Sequence, residues 1–304
     1  MIQDIPTSLD FENTGLSLLN YSWESAISLL EKIHEAPEWG IDVDEVKDDY
    51  WDASKQSLMT SLSIAQQGIE FVIKGKIATI SPYLLIAGSP KEWPRKCQKE
   101  DISFSEFKTI DAQDLIKVYN TFSDARLDDP FITKFEELRT KRNSIMHSIN
   151  MKLEVHALEI ISEILWVYKY LFPSGSWVTA RRNHIQSSPM TELVGYDMNE
   201  YEMVREFSML SDLLKPVQMK EYFGVNKKQR FYICPVCAHE TRDFELEPKT
   251  AQLSPNKSNS TNLYCFVCQN NTEVTRKNCI EDDCKGNVIS NEYEICTTCG
   301  YDQG

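Results

Sequence analysis

Eight of the nine cysteines lie in the last quarter of the chain, as four closely spaced pairs. The pairs have the sequences CPVC, CFVC, CIEDDC and CTTC. A tetrahedral metal site needs four ligands, and each pair supplies two, so the pattern predicts two sites. The first would use Cys234, Cys237, Cys265 and Cys268, and the second Cys279, Cys284, Cys296 and Cys299.

The segment that carries these cysteines has few large apolar side chains, and it is too short to fold by hydrophobic burial alone. Bound zinc can supply the missing stability. Four thiolates leave no open coordination position, so we predict two structural Zn²⁺ ions. Short apolar runs before Cys265 and Cys296 predict strands, and the layout is typical of two consecutive zinc ribbons, over 231–272 and 275–304.

Other uses of these cysteines remain open from sequence. Disulfides or an iron–sulfur cluster are the alternatives, although paired CxxC knuckles in a reducing compartment favour zinc. A cross-braced pairing, in which alternate knuckles share a metal, is a further alternative. His239 lies near the first knuckle and has two interpretations. It either replaces one of the cysteine ligands or, more simply, is an exposed loop histidine.

The first 175 residues have the apolar spacing of a helical bundle. Leu58, Leu62, Ala65, Ile69 and Val72 step by four and three residues, which makes one continuous apolar stripe. The stripe predicts a helix over 43–80 that ends before Pro82. Similar patterns predict helices over 16–36, 109–122 (with Asp111 as N-cap), 129–149 and 152–172. Five such helices can bury a bundle core.

Residues 176–230 are predicted to be a connector with short helices, one of them over 199–214. The predicted fold class is therefore mainly α: a helical bundle over 1–175, this connector, and a small β-rich tandem zinc-ribbon module over 231–304.

The formal net charge is −14, which disfavours non-specific coating of nucleic acid. Local basic runs remain as candidate contacts, at 139–142, 181–182, 227–230 and 276–277. No run of eighteen apolar residues predicts a membrane span, and the N-terminus lacks a basic stretch followed by an apolar core. We therefore expect a cytoplasmic protein without membrane partners.

One predicted helix carries Arg142, Asn143 and His147 in the run RNSIMH. Asn143 and His147 share a face, whereas Arg142 lies about 140° around the axis from His147. Arg142 and His147 would converge where two copies of this helix meet at a twofold axis. Such a site suits RNA cleavage, because a histidine can shuttle the proton of the ribose 2′-OH and an arginine can hold the phosphate. A solvated helix surface is the simpler alternative.

RNSIMH also resembles the motif of the HEPN superfamily, an arginine and a polar residue followed at a short interval by a histidine. The segments 61–86 and 103–120 are similar to parts of bacterial HEPN-type proteins. The resemblance covers roughly residues 10–172. It implies a four-to-five-helix bundle that forms a homodimer, with Arg142 and His147 as the ribonuclease pair and Asn143 as their polar companion.

Many HEPN proteins act as toxins or in defence against phage, and some are not catalytic. The expected function is therefore a metal-independent endoribonuclease that acts on RNA as a dimer, with a protein partner such as an antitoxin expected. The ribbons would recruit that partner or nucleic acid. The alternatives are a non-catalytic dimerisation scaffold whose ribbons bind protein or nucleic acid, and a DNA-binding regulator.

Several other polar and aromatic residues have two interpretations. Ser63, Gln67, Glu70 and Lys74 step along one face of the long helix and either line the site or form its solvated side. His156 is expected to be packed or on the surface rather than catalytic. Four aromatic residues of the ribbon segment either form its small core or stack on bases, namely Tyr264, Phe266, Tyr293 and Tyr301.

Overall fold

The computed structural model describes residues 1–147, 154–189, 191–194, 196–244 and 246–304. The chain divides into two compact units, Met1–Pro173 and Ser174–Gly304. The first unit is helical, and the second combines helices with a small antiparallel sheet near the cysteines. The mainly helical character with a C-terminal sheet confirms the coarse fold prediction.

Five α-helices build the first unit: α1 (Ser8–Glu35), α2 (Val43–Ile80), α3 (Ala112–Phe122), α4 (Asp129–His147) and α5 (Ala157–Leu171). Two short strands, β1 (Ile2–Gln3) and β2 (Ile102–Ser103), pair in parallel. Helix α2 has the predicted bounds, because Ser81 adopts the extended conformation that a following proline favours.

Helices α1 and α2 pack closely because two glycines face each other. A Cβ atom on Gly15 would lie 2.8 Å from the carbonyl oxygen of Gly68, and one on Gly68 would lie 2.9 Å from that of Gly15. The hydroxyl groups of Ser22 and Ser61 each donate to the other residue's backbone carbonyl at 2.8 Å. This contact fixes the helical hairpin on which the remaining helices pack.

The bundle core is formed by the faces that the apolar spacing predicted. The five residues of the α2 stripe are all buried, together with Trp23 of α1. Helix α4 contributes Phe131, whose ring lies 5.8 Å from that of Trp166 in α5. On α5, the predicted inward residues that the structure describes are buried, namely Ala157, Ile161, Ile164, Tyr168 and Leu171.

Two helix boundaries differ from the sequence prediction. Helix α5 begins at Ala157 rather than at 152, because His156 adopts an extended conformation at the N-cap while Val155 is buried. His156 is exposed and lies outside the helix. Asp111 occupies the N-cap of α3, but its side chain does not cap the helix and pairs instead with Lys108 at 3.6 Å. Residues 148–153, which include the predicted end of α4 and Leu153, lie outside the described residues.

The second unit begins with α6 (Trp177–Gln186), α7 (Thr191–Val194), α8 (Tyr196–Leu213) and α9 (Pro216–Phe223), and α10 (Pro235–Glu240) follows the first cysteine. Four antiparallel strands complete it in the order β3 (Ala251–Leu253), β4 (Asn262–Cys265), β5 (Asn271–Thr275) and β6 (Ile289–Ser290). Strand β5 crosses the predicted boundary between the two ribbons, so both cysteine groups share one sheet.

The segment predicted as a connector supplies much of the core of this unit. Met203, Val204 and Phe207 of α8 are fully buried. Phe223 of α9 lies 5.7 Å, ring to ring, from Phe266 beside the first cysteine group. Residues 176–230 and the cysteine-bearing segment therefore form one unit, because α8 packs against α10 and α9 contacts Phe266.

Candidate functional sites: two cysteine groups and a polar cleft

The first cysteine group lies between α10 and strand β4. It consists of Cys234, Cys237, Cys265 and Cys268, whose sulfur atoms lie within 4.8 Å of one another. The Sγ atoms of Cys234 and Cys268 are 3.6 Å apart, and those of Cys237 and Cys265 are 3.7 Å apart. The first three of these cysteines are buried, so this group lies inside the unit.

The second group consists of Cys279, Cys284, Cys296 and Cys299, again within 4.8 Å of one another. The Sγ–Sγ distance is 3.8 Å between Cys279 and Cys299 and 3.9 Å between Cys284 and Cys296. Cys296 is buried, whereas Cys299 is exposed. Both groups use consecutive pairs of knuckles, as predicted, and His239 belongs to neither.

The sulfur spacing matches a tetrahedral metal site. A zinc–sulfur bond of about 2.3 Å places neighbouring ligands of a tetrahedron about 3.8 Å apart. The observed distances of 3.6 to 3.9 Å agree with this spacing. A disulfide would require a separation of about 2.05 Å, so these pairs are not disulfides. Each group has the geometry to hold one metal ion with four sulfur ligands.

The sulfur atoms of the first group perturb one another's ionisation. Hydrogen bonds among the cysteines and burial raise the pKa of Cys237. In the same group, burial opposes ionisation of Cys265, but hydrogen bonds from its three partners and Thr250 hold its pKa well below the usual range. A divalent cation bound by the group would stabilise every thiolate that binds it.

An arginine from the helical part of the second unit lies beside the first group. The guanidinium of Arg182 forms two hydrogen bonds with Glu200, at 2.8 and 3.1 Å, and donates to the carbonyl oxygen of Val267 at 3.0 Å. Burial lowers the pKa of Arg182, but the hydrogen bonds and the charge of Glu200 outweigh this effect and raise it. Arg182 thus ties α6 to the loop that carries Cys268.

The bundle has an open, mostly polar cleft of about 360 Å³ beside the RNSIMH run. Arg142 and Asn143 both line it, and the guanidinium of Arg142 donates to Oδ1 of Asn143 at 3.0 Å. This hydrogen bond orients the guanidinium. The rest of the lining comes from α2, the start of α3 and α4, namely Glu70, Lys74, Thr109, Ile110, Asp111, Ala112, Gln113 and Arg139.

Cations outnumber acids in this cleft. Lys74, Arg139 and Arg142 carry three positive charges against the carboxylates of Glu70 and Asp111. Glu70 accepts a hydrogen bond from Gln66 at 2.7 Å, and Asp111 pairs with Lys108 outside the cleft lining. The cleft is thus a local basic site in an acidic chain and can hold an anion.

The residues predicted for catalysis are only partly brought together. Arg142 and Asn143 lie in one cleft, whereas His147 is the last residue of α4 and its side chain lies outside the described residues. Of the polar face on α2, Glu70 and Lys74 line the cleft, but Gln67 is exposed elsewhere and Ser63 bonds to the carbonyl of Met59.

Arg139 and the residues at the start of α3 carry no individual functional signal in the sequence. Arg139 lies three residues before Arg142, a spacing that places two side chains on neighbouring parts of one helix face, so the basic run at 139–142 carried this signal. Gln113 and Thr109 gave no such signal, because only the packing of α3 brings them to α4.

Comparison of the chain with protein-family models, curated proteins and solved structures finds no match. The similarity of RNSIMH to the HEPN motif therefore remains an interpretation of the sequence. Among the described helices, none has both the length and the apolar character needed to cross a bilayer.

Proposed function

We propose that the protein is a metal-independent endoribonuclease of the HEPN type that acts as a homodimer. The observation that carries this proposal is the cleft in which Arg142, oriented by Asn143, lies among further cations on a helical bundle. A guanidinium held by a neighbouring amide is suited to bind a phosphate and to stabilise the charge that develops on its oxygens.

The reaction would use the substrate's own nucleophile. The imidazole of His147 takes the proton of the ribose 2′-OH, whose oxygen attacks the adjacent phosphorus. The bond from phosphorus to O5′ breaks, and an imidazolium returns a proton to O5′. Arg142 holds the non-bridging oxygens throughout. The products carry 2′,3′-cyclic phosphate and 5′-hydroxyl ends, and DNA is spared because it lacks the 2′-OH.

A dimer is part of the proposal because of the helical spacing. Arg142 and His147 lie about 140° apart around α4, so two protomers are needed to place both groups on one phosphate.

The two cysteine groups would hold structural Zn²⁺. Their four-sulfur composition and spacing favour this ion, and closed four-thiolate sites leave no position for a reacting water. When bound, the ions stabilise the second unit. We infer that this unit recruits a protein partner or RNA, and that the whole chain serves as a toxin or defence effector in the cytoplasm.

The test is RNA cleavage by the purified full-length dimer, with Arg142→Ala and His147→Ala as the decisive variants. Both should lose cleavage by at least about 100-fold, since each removes a group that acts on the reacting phosphate. Matched controls are Arg126→Ala and His156→Ala, which change exposed residues outside the cleft lining. Equal cleavage by all five proteins, or none by the wild type on varied RNAs, would overturn the proposal.

A further inference from the structure

The cleft beside Arg142 contains two further cationic side chains. Arg142 is assigned to the scissile phosphate under the proposed function. Lys74 from α2 and Arg139 from α4 line the same cleft. Within the part of the chain that the structure describes, Lys74 forms no ion pair, and its ammonium lies 5.4 Å from the ring centre of Phe71. It is therefore free to pair with an anionic ligand.

Arg139 and Arg142 are displaced along the same helix. Three residues of helix separate their Cα atoms by about 4.5 Å along the axis. The guanidinium of Arg139 forms an ion pair with the carboxylate of Glu136, which accepts hydrogen bonds from Nε and Nη2 at 3.0 and 2.6 Å. This pair fixes the orientation of the guanidinium and offsets part of its charge. Its remaining N–H groups stay available. Two arginines fixed at different heights on α4 can each bind a different phosphate of one strand.

One of the two acids in the cleft has its own cationic partner, since Asp111 pairs with Lys108. Glu70 accepts a hydrogen bond from the neutral amide of Gln66 and keeps its negative charge. The start of α3 also lines the cleft at Ala112 and Gln113. Because Asp111 leaves the first turn of this helix without a side-chain cap, the backbone N–H groups there carry partial positive charge that adds to that of the side chains.

We propose that Lys74 and Arg139 form a subsite for a second, non-scissile phosphate of a single-stranded RNA. This inference rests on the proposed function, because it places the RNA strand in the same cleft. Lys74 and Arg139 are positioning residues: they hold the strand so that its neighbouring ribose–phosphate linkage lies at Arg142. They take part in no bond making or breaking.

The subsite can be tested by binding without cleavage. The probe is a short single-stranded RNA with 2′-O-methyl groups throughout, which lacks the nucleophile, and binding to the full-length protein is followed by fluorescence anisotropy at several KCl concentrations. Lys74→Gln and Arg139→Gln should weaken binding several-fold. In the double variant, the slope of log K against log salt should become shallower by about 0.7 for the lost phosphate.

Lys117→Gln and Arg126→Gln remove the same charges at exposed positions outside the cleft and should leave the slope unchanged. With cleavable RNA, Lys74→Gln and Arg139→Gln should raise KM with little change in kcat, whereas Arg142→Ala should lower kcat. A positioning role predicts both the higher KM and the shallower salt dependence of binding. A purely structural role would leave the salt dependence unchanged.

The outcomes separate the two proposals. If the wild type binds the methylated RNA with the expected variant effects but cleaves no RNA, the subsite stands and the nuclease proposal fails. If RNA is cleaved while Lys74→Gln and Arg139→Gln match their controls in binding and slope, the subsite is refuted. Absence of binding by the wild type also refutes it.

Discussion

Single atoms decide how closely the first two helices approach. Gly15 and Gly68 have no side chain, which lets the backbones of α1 and α2 come together. The Cβ atom of any other residue at either position would lie within 3 Å of the facing carbonyl oxygen. Neither glycine is needed for its dihedral angles, so the contact itself explains the residue. A substitution there acts on the hairpin and not on the local helix.

Gly68→Ala should therefore destabilise the first unit by about 1–3 kcal/mol, the range for overpacking, although alanine favours helices more than glycine does. The measurement is urea unfolding followed by circular dichroism. Gln67→Ala is the matched control, because Gln67 is exposed on the same turn and its removal should change stability by less than about 0.5 kcal/mol. A gain in stability for Gly68→Ala would contradict the close contact.

The second unit contains a buried ion pair. The guanidinium of Arg181 and the carboxylate of Glu206 are 3.2 Å apart, and their side chains are 6% and 4% exposed. Removing one partner leaves an uncompensated charge away from water, whereas removing both leaves only a packing change.

Glu206→Gln should destabilise the second unit by about 3–5 kcal/mol, and Arg181→Met combined with Glu206→Leu should recover most of this loss. Chemical unfolding monitored by tryptophan fluorescence provides the measurement. Glu202→Gln on the exposed side of α8 should behave as wild type. If the double variant were no more stable than Glu206→Gln, the loss would have to come from packing and not from the isolated charge.

At the scale of elements, α4 and α5 are joined by ion pairs that differ in exposure. Lys134 of α4 pairs with Glu163 of α5 at 2.6 Å, and Lys141 pairs with Glu159 at 2.5 Å. The side chain of Glu163 is 11% exposed, against 34% for Glu159. Burial raises the pKa of Glu163 above its ordinary value, and the contact with Lys134 opposes this shift without cancelling it.

This shift predicts a pH dependence of stability. A carboxyl whose pKa is higher in the folded state binds protons more tightly there, so folding loses stability as the pH rises from the ordinary value of 4.5 through the folded pKa. Glu163→Gln removes this loss. The free energy of unfolding of the variant relative to wild type should therefore increase between pH 4 and pH 7.

The comparison requires urea unfolding at each pH, with Glu159→Gln as the control for loss of a lysine partner. A relative stability of Glu163→Gln that falls as the pH rises would contradict burial as the dominant cause.

For the whole molecule, the two units depend on different interactions. The first unit has a continuous apolar core. The second unit contains two four-cysteine groups that share one four-stranded sheet. The groups also differ from each other: three cysteines of the first are buried, but only Cys296 is buried in the second. Metal loss should therefore affect the units, and the two groups, unequally.

The purified protein should contain two zinc ions per chain, and either Cys237→Ser or Cys284→Ser should reduce this content by about one ion, since each change removes one of four ligands. A chelator should remove the metal in two phases, with the more exposed second group first. Elemental analysis and a colorimetric zinc assay measure both quantities.

During chelation, circular dichroism and limited proteolysis should show that α1 to α5 remain folded while the second unit becomes sensitive to protease. Zinc-saturated chelator is the control, because it has no free capacity for the zinc of the protein. A full zinc complement in either cysteine variant, or loss of the α1–α5 helices on chelation, would contradict this assignment.

The sequence by itself determined the features that depend on short spacing. The CxxC-type pairs identified the members of both cysteine groups. The apolar stripe from Leu58 to Val72, together with Pro82, determined the bounds of α2. Both were readable because ligand pairs and helix faces repeat within a few residues. Only the tertiary structure decided that residues 176–230 belong to the second unit, that α5 begins at Ala157, and that Lys74 of α2 lies in the same cleft as Arg142. These features arise from contacts between residues distant along the chain, which no local pattern encodes.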